Sequence, residues 1–98
     1  MTATLISRND IIHNAAAHRF ECSVDGQLCE CSYFLRGELL TLPHTYVPAT
    51  LAGRGIAAEL VAAALAWADA QGYSVQPSCS YVRAYIAKRP GLQHLVAA

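Results

Sequence analysis

Residues 47–72, VPATLAGRGIAAELVAAALAWADAQG, contain a strand end, a glycine-bracketed turn and a long helix in one unbroken run. Pro48 stops an extended segment because it has no amide to give to a sheet. After the turn Gly53-Arg54-Gly55, the strong helix formers Ala, Leu and Glu take over. Ile56, Leu60, Val61, Ala64, Leu65 and Ala68 recur at helical spacing, and Gly72 stands where a C′ glycine closes a helix. A helix start exposes unpaired amides and partial positive charge, and glycines let an anion approach the backbone closely. Arg54 adds a full charge able to grip phosphate in bidentate fashion. A glycine-containing loop ahead of a helix is also a common connector, so spacing alone leaves phosphate binding open.

Upstream the period is two. In HRFECSV, His18, Phe20, Cys22 and Val24 point one way while Arg19, Glu21 and Ser23 point the other. Asp25-Gly26 is a strong two-residue hairpin signal, because both positions tolerate positive φ. That turn sets Val24 opposite Gln27, Cys22 opposite Cys29 and Phe20 opposite Cys31, with Cys29, Cys31 and Tyr33 on one face. Arg36-Gly37 makes a second turn into a third strand over Glu38 to Val47. Downstream, Tyr73-Ser74-Val75 reads as a short strand limited by Pro77. Ser78 is the expected N-cap of a helix from Cys79 to Arg89, with Val82, Tyr85 and Ile86 turned inward and Pro90-Gly91 as its stop. The order strand-strand-strand-helix-strand-helix predicts an α+β fold: an antiparallel meander, then a helical crossover onto a mixed sheet.

Length and composition set the bounds. The 98 residues make one domain, 1–98, with residues 1–12 expected to fray. Hydrophobic residues are 54% and charged residues 14%, which excludes disorder. Seven Lys plus Arg balance seven Asp plus Glu, so no positive field favours nucleic acid or a membrane surface. The longest apolar run, Leu60 to Ala68, is far shorter than the ~20 residues that span a bilayer. No basic start followed by an apolar stretch opens the chain, so the expected location is cytoplasmic, with Cys22, Cys29, Cys31 and Cys79 reduced. The first three of these thiols suit the core face of a sheet, where buried cysteine behaves as a small hydrophobe. No second ligand pair at zinc-like spacing follows them, and no metal is expected.

Three phosphate motifs compete for the turn. A Walker loop needs a Lys-Ser/Thr pair that is absent. A dinucleotide fingerprint is nominally met by Gly53, Gly55 and Ala58, but no acidic residue ends the next strand about 20 positions on. The third is the pyrophosphate loop Gln/Arg-x-x-Gly-x-Gly/Ala, where Gly55 and Ala57 match and Ala52 replaces Gln or Arg. The flanks are more specific. His44-Thr45, Val47-Pro48, Leu51, Gly53, Gly55-Ile56, Pro77, Cys79 to Val82, Tyr85-Ile86 and Pro90, in this order and spacing, resemble a small stand-alone branch of the GCN5-related N-acetyltransferases. The resemblance runs from about His18 to the C-terminus. It implies a truncated acetyltransferase fold and transfer of an acetyl group from acetyl-CoA to a primary amine, on a protein lysine or a small molecule. It also implies that Cys79 and His44 are the active-site pair.

The residues speak for themselves beside this. Cys79 falls at a helix start, where unpaired amides favour a thiolate. His44 ends a strand just before the glycine turn, where a neutral imidazole is able to take a proton from an ammonium or from the Cys79 thiol. The resemblance also implies a role for Tyr85, on the last helix, where larger relatives carry a tyrosine that protonates the departing CoA thiolate; it is a weaker candidate, since i+3 from Val82 it also suits the core, and Tyr81 shares that candidacy. The expected cofactor-binding residues are Val47, Gly53, Arg54, Gly55, Ile56, Ala57 and Ala58. Two other classes stay open: a CoA- or acyl-CoA-binding module with little catalysis, and a metal or redox centre on Cys22, Cys29 and Cys31.

Overall fold

Turn chemistry builds the first hairpin of the computed structural model, which describes residues 10–97. Asp25 (φ 51°) and Gly26 (φ 74°) both take the left-handed conformation, joining strands β2 (Arg19–Val24) and β3 (Gln27–Arg36). The register pairs Val24 with Gln27, Cys22 with Cys29 and Phe20 with Cys31, as the two-residue turn predicts. His18 departs from the expected core face. It is a left-handed turn residue (φ 54°) and is exposed.

An additional strand, β1 (Ile12–Asn14), lies antiparallel to β2, with Ile12 paired to Glu21. Fraying expected through residue 12 therefore does not extend to Ile12; positions 1–9 lie outside the described residues. Strand β4 (Leu39–Tyr46) returns along β3 with a bulge. Ser32 pairs with His44 and Phe34 with Thr41, so Tyr33 alone faces both Leu42 and Pro43. Pro43 has no amide for the ladder, which suits it to this position.

A short 3-10 turn (Ala49–Leu51) leads to helix α1 (Ile56–Gln71), closed by Gly72 at φ 77°. The crossover delivers β5 (Ser74–Gln76) parallel to Leu39–Thr41 of β4. The sheet order is thus β1-β2-β3-β4-β5, antiparallel except for its last pair. Helix α2 spans Ser80–Ala87 and is shorter than expected at both ends. Its N-cap is Cys79, not Ser78, because the Cys79 N–H is drawn onto Leu42 O (3.0 Å) and its backbone stays extended.

One face of the sheet carries the core. Cys22, Cys29, Cys31, Leu40, Leu42 and Val75 pack under α1 and α2, meeting Leu60, Leu65 and Val82. Each buried Leu or Val among them contributes about 1.5–3 kcal/mol of hydrophobic stabilisation. Val82 and Ile86 turn inward on α2 as expected, while Tyr85 is only half-buried. The other face is open, with Phe34 65%, Ile12 61% and Tyr46 49% exposed.

Candidate functional site: a glycine turn beside an open strand edge

Strand β4 is longer than the partner it gains. β5 covers it only along Leu39–Thr41, and one further bond joins Cys79 N–H to Leu42 O before α2 turns away. From Pro43 onward, the edge of β4 away from β3 takes no backbone hydrogen bond among the described residues, and a cavity lies between Val47, just past β4, and Tyr81 on α2. The Gly53–Ala58 turn borders this wedge.

Both glycines of that turn are left-handed, Gly53 at φ 83° and Gly55 at φ 79°, a conformation costly for any other residue. Gly55 is the N-cap of α1 and brings no side chain to satisfy the helix amides. Leu51 and Ala52 N–H bond back to Pro48 O and Ala49 O, whereas the amides from Gly53 to Ala58 take no such partner among the described residues. The first intrahelical bond is Glu59 N–H to Gly55 O (3.2 Å). Six successive amides at a positive helix end are thus free to donate.

These amides border a cavity of about 290 Å³ whose lining includes Val47, Leu51, Gly53, Gly55, Ile56 and Tyr81. Of the expected cofactor-binding residues, Val47, Gly53, Gly55, Ile56 and Ala57 line it. Ala58 lines a second cavity of about 290 Å³, which shares Tyr81 with the first. Arg54 turns elsewhere: its Nη1 donates to Asp25 Oδ2 (2.9 Å) on the β2–β3 turn. Gln27 Nε2 donates to Thr50 Oγ1 (2.9 Å) beside it, so the hairpin tip is tied to the glycine turn.

The bulge separates the two residues paired in the sequence argument. Thr45 is opposite Cys31 on the helix side, and its Oγ1 donates to Cys31 Sγ (3.7 Å). His44 is opposite Ser32 and faces the open side, its ring stacked on Tyr46 at 6.3 Å between centroids. Cys79 packs half-buried against the core beneath the helices. His44 and Cys79 therefore flank the wedge from opposite faces of the sheet. Of the two tyrosines, Tyr81 lines both cavities, while Tyr85 lines only the second and lies under Arg89. Burial and the neighbouring Tyr85 push the Tyr81 hydroxyl above the usual tyrosine range, so it remains a proton donor.

The remaining cysteines are core. Burial pushes the Cys22 and Cys31 thiols up to about 11 and raises Cys29 as well, which suppresses the thiolates that metal binding and redox exchange require. A second cluster escaped the sequence analysis. His13 stacks on Phe20 (4.3 Å), meets Trp67 edge-on (4.5 Å) and shares a hydrogen bond of 2.6 Å with the Tyr33 hydroxyl. No local signal marks His13, because its partners come from β2, β3 and α1.

Residues 19–95 match the family described as GCN5-related N-acetyl-transferase. The fold is similar to the solution NMR structure of a GCN5-like protein from Staphylococcus aureus, with a TM-score of 0.71 over 95% of this chain and 92% of that one, at 23% identity.

Proposed function

The chain belongs to the GCN5-related N-acetyltransferase family, and from that premise we propose that it moves an acetyl group from acetyl-CoA to a primary amine. The run of free amides from Gly53 to Ala58, bordering an apolar cavity that extends from Val47, just past the end of β4, to Tyr81 on α2, is the observation that carries this reading. The pyrophosphate suits the amides, and the pantetheine arm, with its two amide groups, suits a strand edge that lacks a backbone partner among the described residues. Arg54 reaches the phosphates by leaving Asp25. An ion pair this exposed contributes only about 0–1 kcal/mol, less than a charge-assisted phosphate contact returns.

The amine approaches from the open face, where His44 takes the proton released as nitrogen attacks the thioester carbonyl. The new C–N bond forms, the C–S bond breaks, and Tyr81 on the helix side donates a proton to the departing CoA sulfur. Tyr81 is preferred to Tyr85 because it borders the wedge itself. The half-buried position of Cys79 at the narrow end of the wedge supports a second route. There its sulfur displaces CoA, becomes acetylated, and yields the acetyl group to the amine.

Calorimetric titration with acetyl-CoA, on the wild type and on Arg54→Ala, tests the reading. Saturable one-to-one binding, weakened by the substitution, is the expected result. Absence of binding at millimolar acetyl-CoA would sink it. Binding without turnover of any amine would instead favour an acyl-CoA-binding module.

A further inference from the structure

The open face of the sheet holds a cavity of about 260 Å³ that the donor does not need. Strand pairing puts all its lining residues on that face: Phe34 opposite Thr41, Arg36 opposite Leu39, and Thr41 opposite Gln76. Phe34 and Leu39 give it an apolar wall, Thr41 and Gln76 add neutral polar groups, and Arg36 is its one charged group. Arg19, Arg54, Arg83 and Arg89 each donate to a partner. Arg36 is exposed and makes no hydrogen bond or ion pair among the described residues. Glu38, in the turn that follows, does not line the cavity.

His44 lies between this cavity and a cluster of opposite sign. Along β3 the open face carries Glu30 opposite Tyr46, Ser32 opposite His44, then Phe34 and Arg36. Glu21 and Glu30 share Arg19 at 2.6 and 3.2 Å, two carboxylates against one guanidinium. The face is thus anionic on one side of His44 and cationic on the other. From the level of His44 it is about 7 Å along the strand to Phe34 and about 14 Å to Arg36, whose long side chain covers part of that interval.

We propose that the acceptor is a small amine that carries a carboxylate, an ω-amino acid in chemical class, with its carboxylate on Arg36. The inference rests on the acetyl-transfer reading above and names the substrate class of that site. The ammonium is drawn toward the Glu21–Glu30 side and loses its proton to His44, the methylene chain lies along Phe34 and Leu39, and the guanidinium takes the carboxylate. A second ammonium in place of the carboxylate would face Arg36 across an uncompensated cavity, which disfavours diamines and polyamines.

Acetylation of 6-aminohexanoate, hexylamine and 1,6-diaminohexane tests this, with acetyl-CoA binding followed by calorimetry on the same samples. The expected kcat/KM is about tenfold higher for 6-aminohexanoate than for hexylamine, the worth of one charge-assisted contact, with the diamine lowest. Arg36→Gln is expected to bring the first ratio close to one. Arg36→Glu is expected to reverse the order in favour of the diamine, a change that loss of folding cannot produce. Equal kcat/KM for the three amines, or equal lowering of all three by Arg36→Gln, would overturn the acceptor assignment and leave acetyl transfer standing. Acetyl-CoA binding with turnover of none of the amines would overturn the assignment and the transfer step together. Absence of acetyl-CoA binding would remove the donor reading as well.

Discussion

At Gly55 the requirement is conformational. Its φ of 79° is left-handed, and a Cβ built there would meet nothing within 4 Å. Substitution therefore strains the turn without crowding it, at about 1–2 kcal/mol for a non-glycine residue and more for a β-branched one. Relief of that strain re-aims the amides of Ile56 and Ala57. Gly55→Val is expected to lower affinity for acetyl-CoA at least tenfold in calorimetry, with about a 1.4 kcal/mol loss of binding as the threshold. Cys79 decides between the two chemical routes. With direct attack, Cys79→Ala retains amine transfer; a drop of about a hundredfold or more in turnover, at unchanged binding, would make the thiol the acetyl carrier. At this scale the sequence was informative about residue types and silent about direction. Arg54 and His44 were both visible as candidates. That Arg54 rests on Asp25 and that His44 looks away from Cys79 depend on contacts 29 residues apart and on a single bulge.

At the scale of elements, β1 is the part that local pattern could not supply. Three residues are too few to show a period, and Ile12–Asn14 become a strand only because β2 offers them an edge. The strand is held there by the packing of His13 against Phe20, Tyr33 and Trp67. Burial lowers the His13 pKa from its ordinary 6.5. The unfolded chain consequently binds the proton first as pH falls. Stability from this neutral imidazole is present above 6.5 and is lost as pH drops through the folded-state value. The thermal midpoint is expected to fall below pH 6.5, and His13→Phe, which keeps the stack but cannot titrate, is expected to flatten that fall. An unchanged slope would assign the pH dependence to other groups. Helix α1, by contrast, was legible almost to the residue: every apolar position expected to face inward is buried. The α2 boundaries were less so, since Cys79 was taken out of the helix by a bond to Leu42, an interaction between distant parts of the chain.

For the whole molecule, the proposed binding site depends on a sheet covered on one face and split at one edge. A domain of this size has only about 5–15 kcal/mol of stability in total. A ligand that ties the glycine turn to β4 and α2 adds to that by mass action. At acetyl-CoA one hundred times its dissociation constant the gain is about 2.7 kcal/mol, which for a domain under 100 residues raises the thermal midpoint by roughly 10–20 °C. The wild type is expected to show this rise in calorimetry or circular dichroism. No rise at saturating ligand would argue against the wedge as the binding site. Ile12, Phe34 and Tyr46 are exposed on the other face, the side to which His44 turns.

Sequence alone was sufficient for everything governed by short range. The hairpin register follows from Asp25-Gly26, the long helix from its spacing and Gly72, and the mixed sheet from a helix placed between strands. The left-handed turn ahead of that helix follows from Gly53 and Gly55. Tertiary structure decided what depends on pairing between distant segments. The bulge at Leu42-Pro43 adds one residue to β4, and because side chains in a strand alternate, that one residue determines which face every later side chain takes. It sends His44 to the open side and Thr45 toward Cys31, and it comes just where the β5 pairing ends and the edge of β4 is exposed. No local pattern encodes that, since the cost and the gain of the bulge lie in β3 partners seven to twelve residues away.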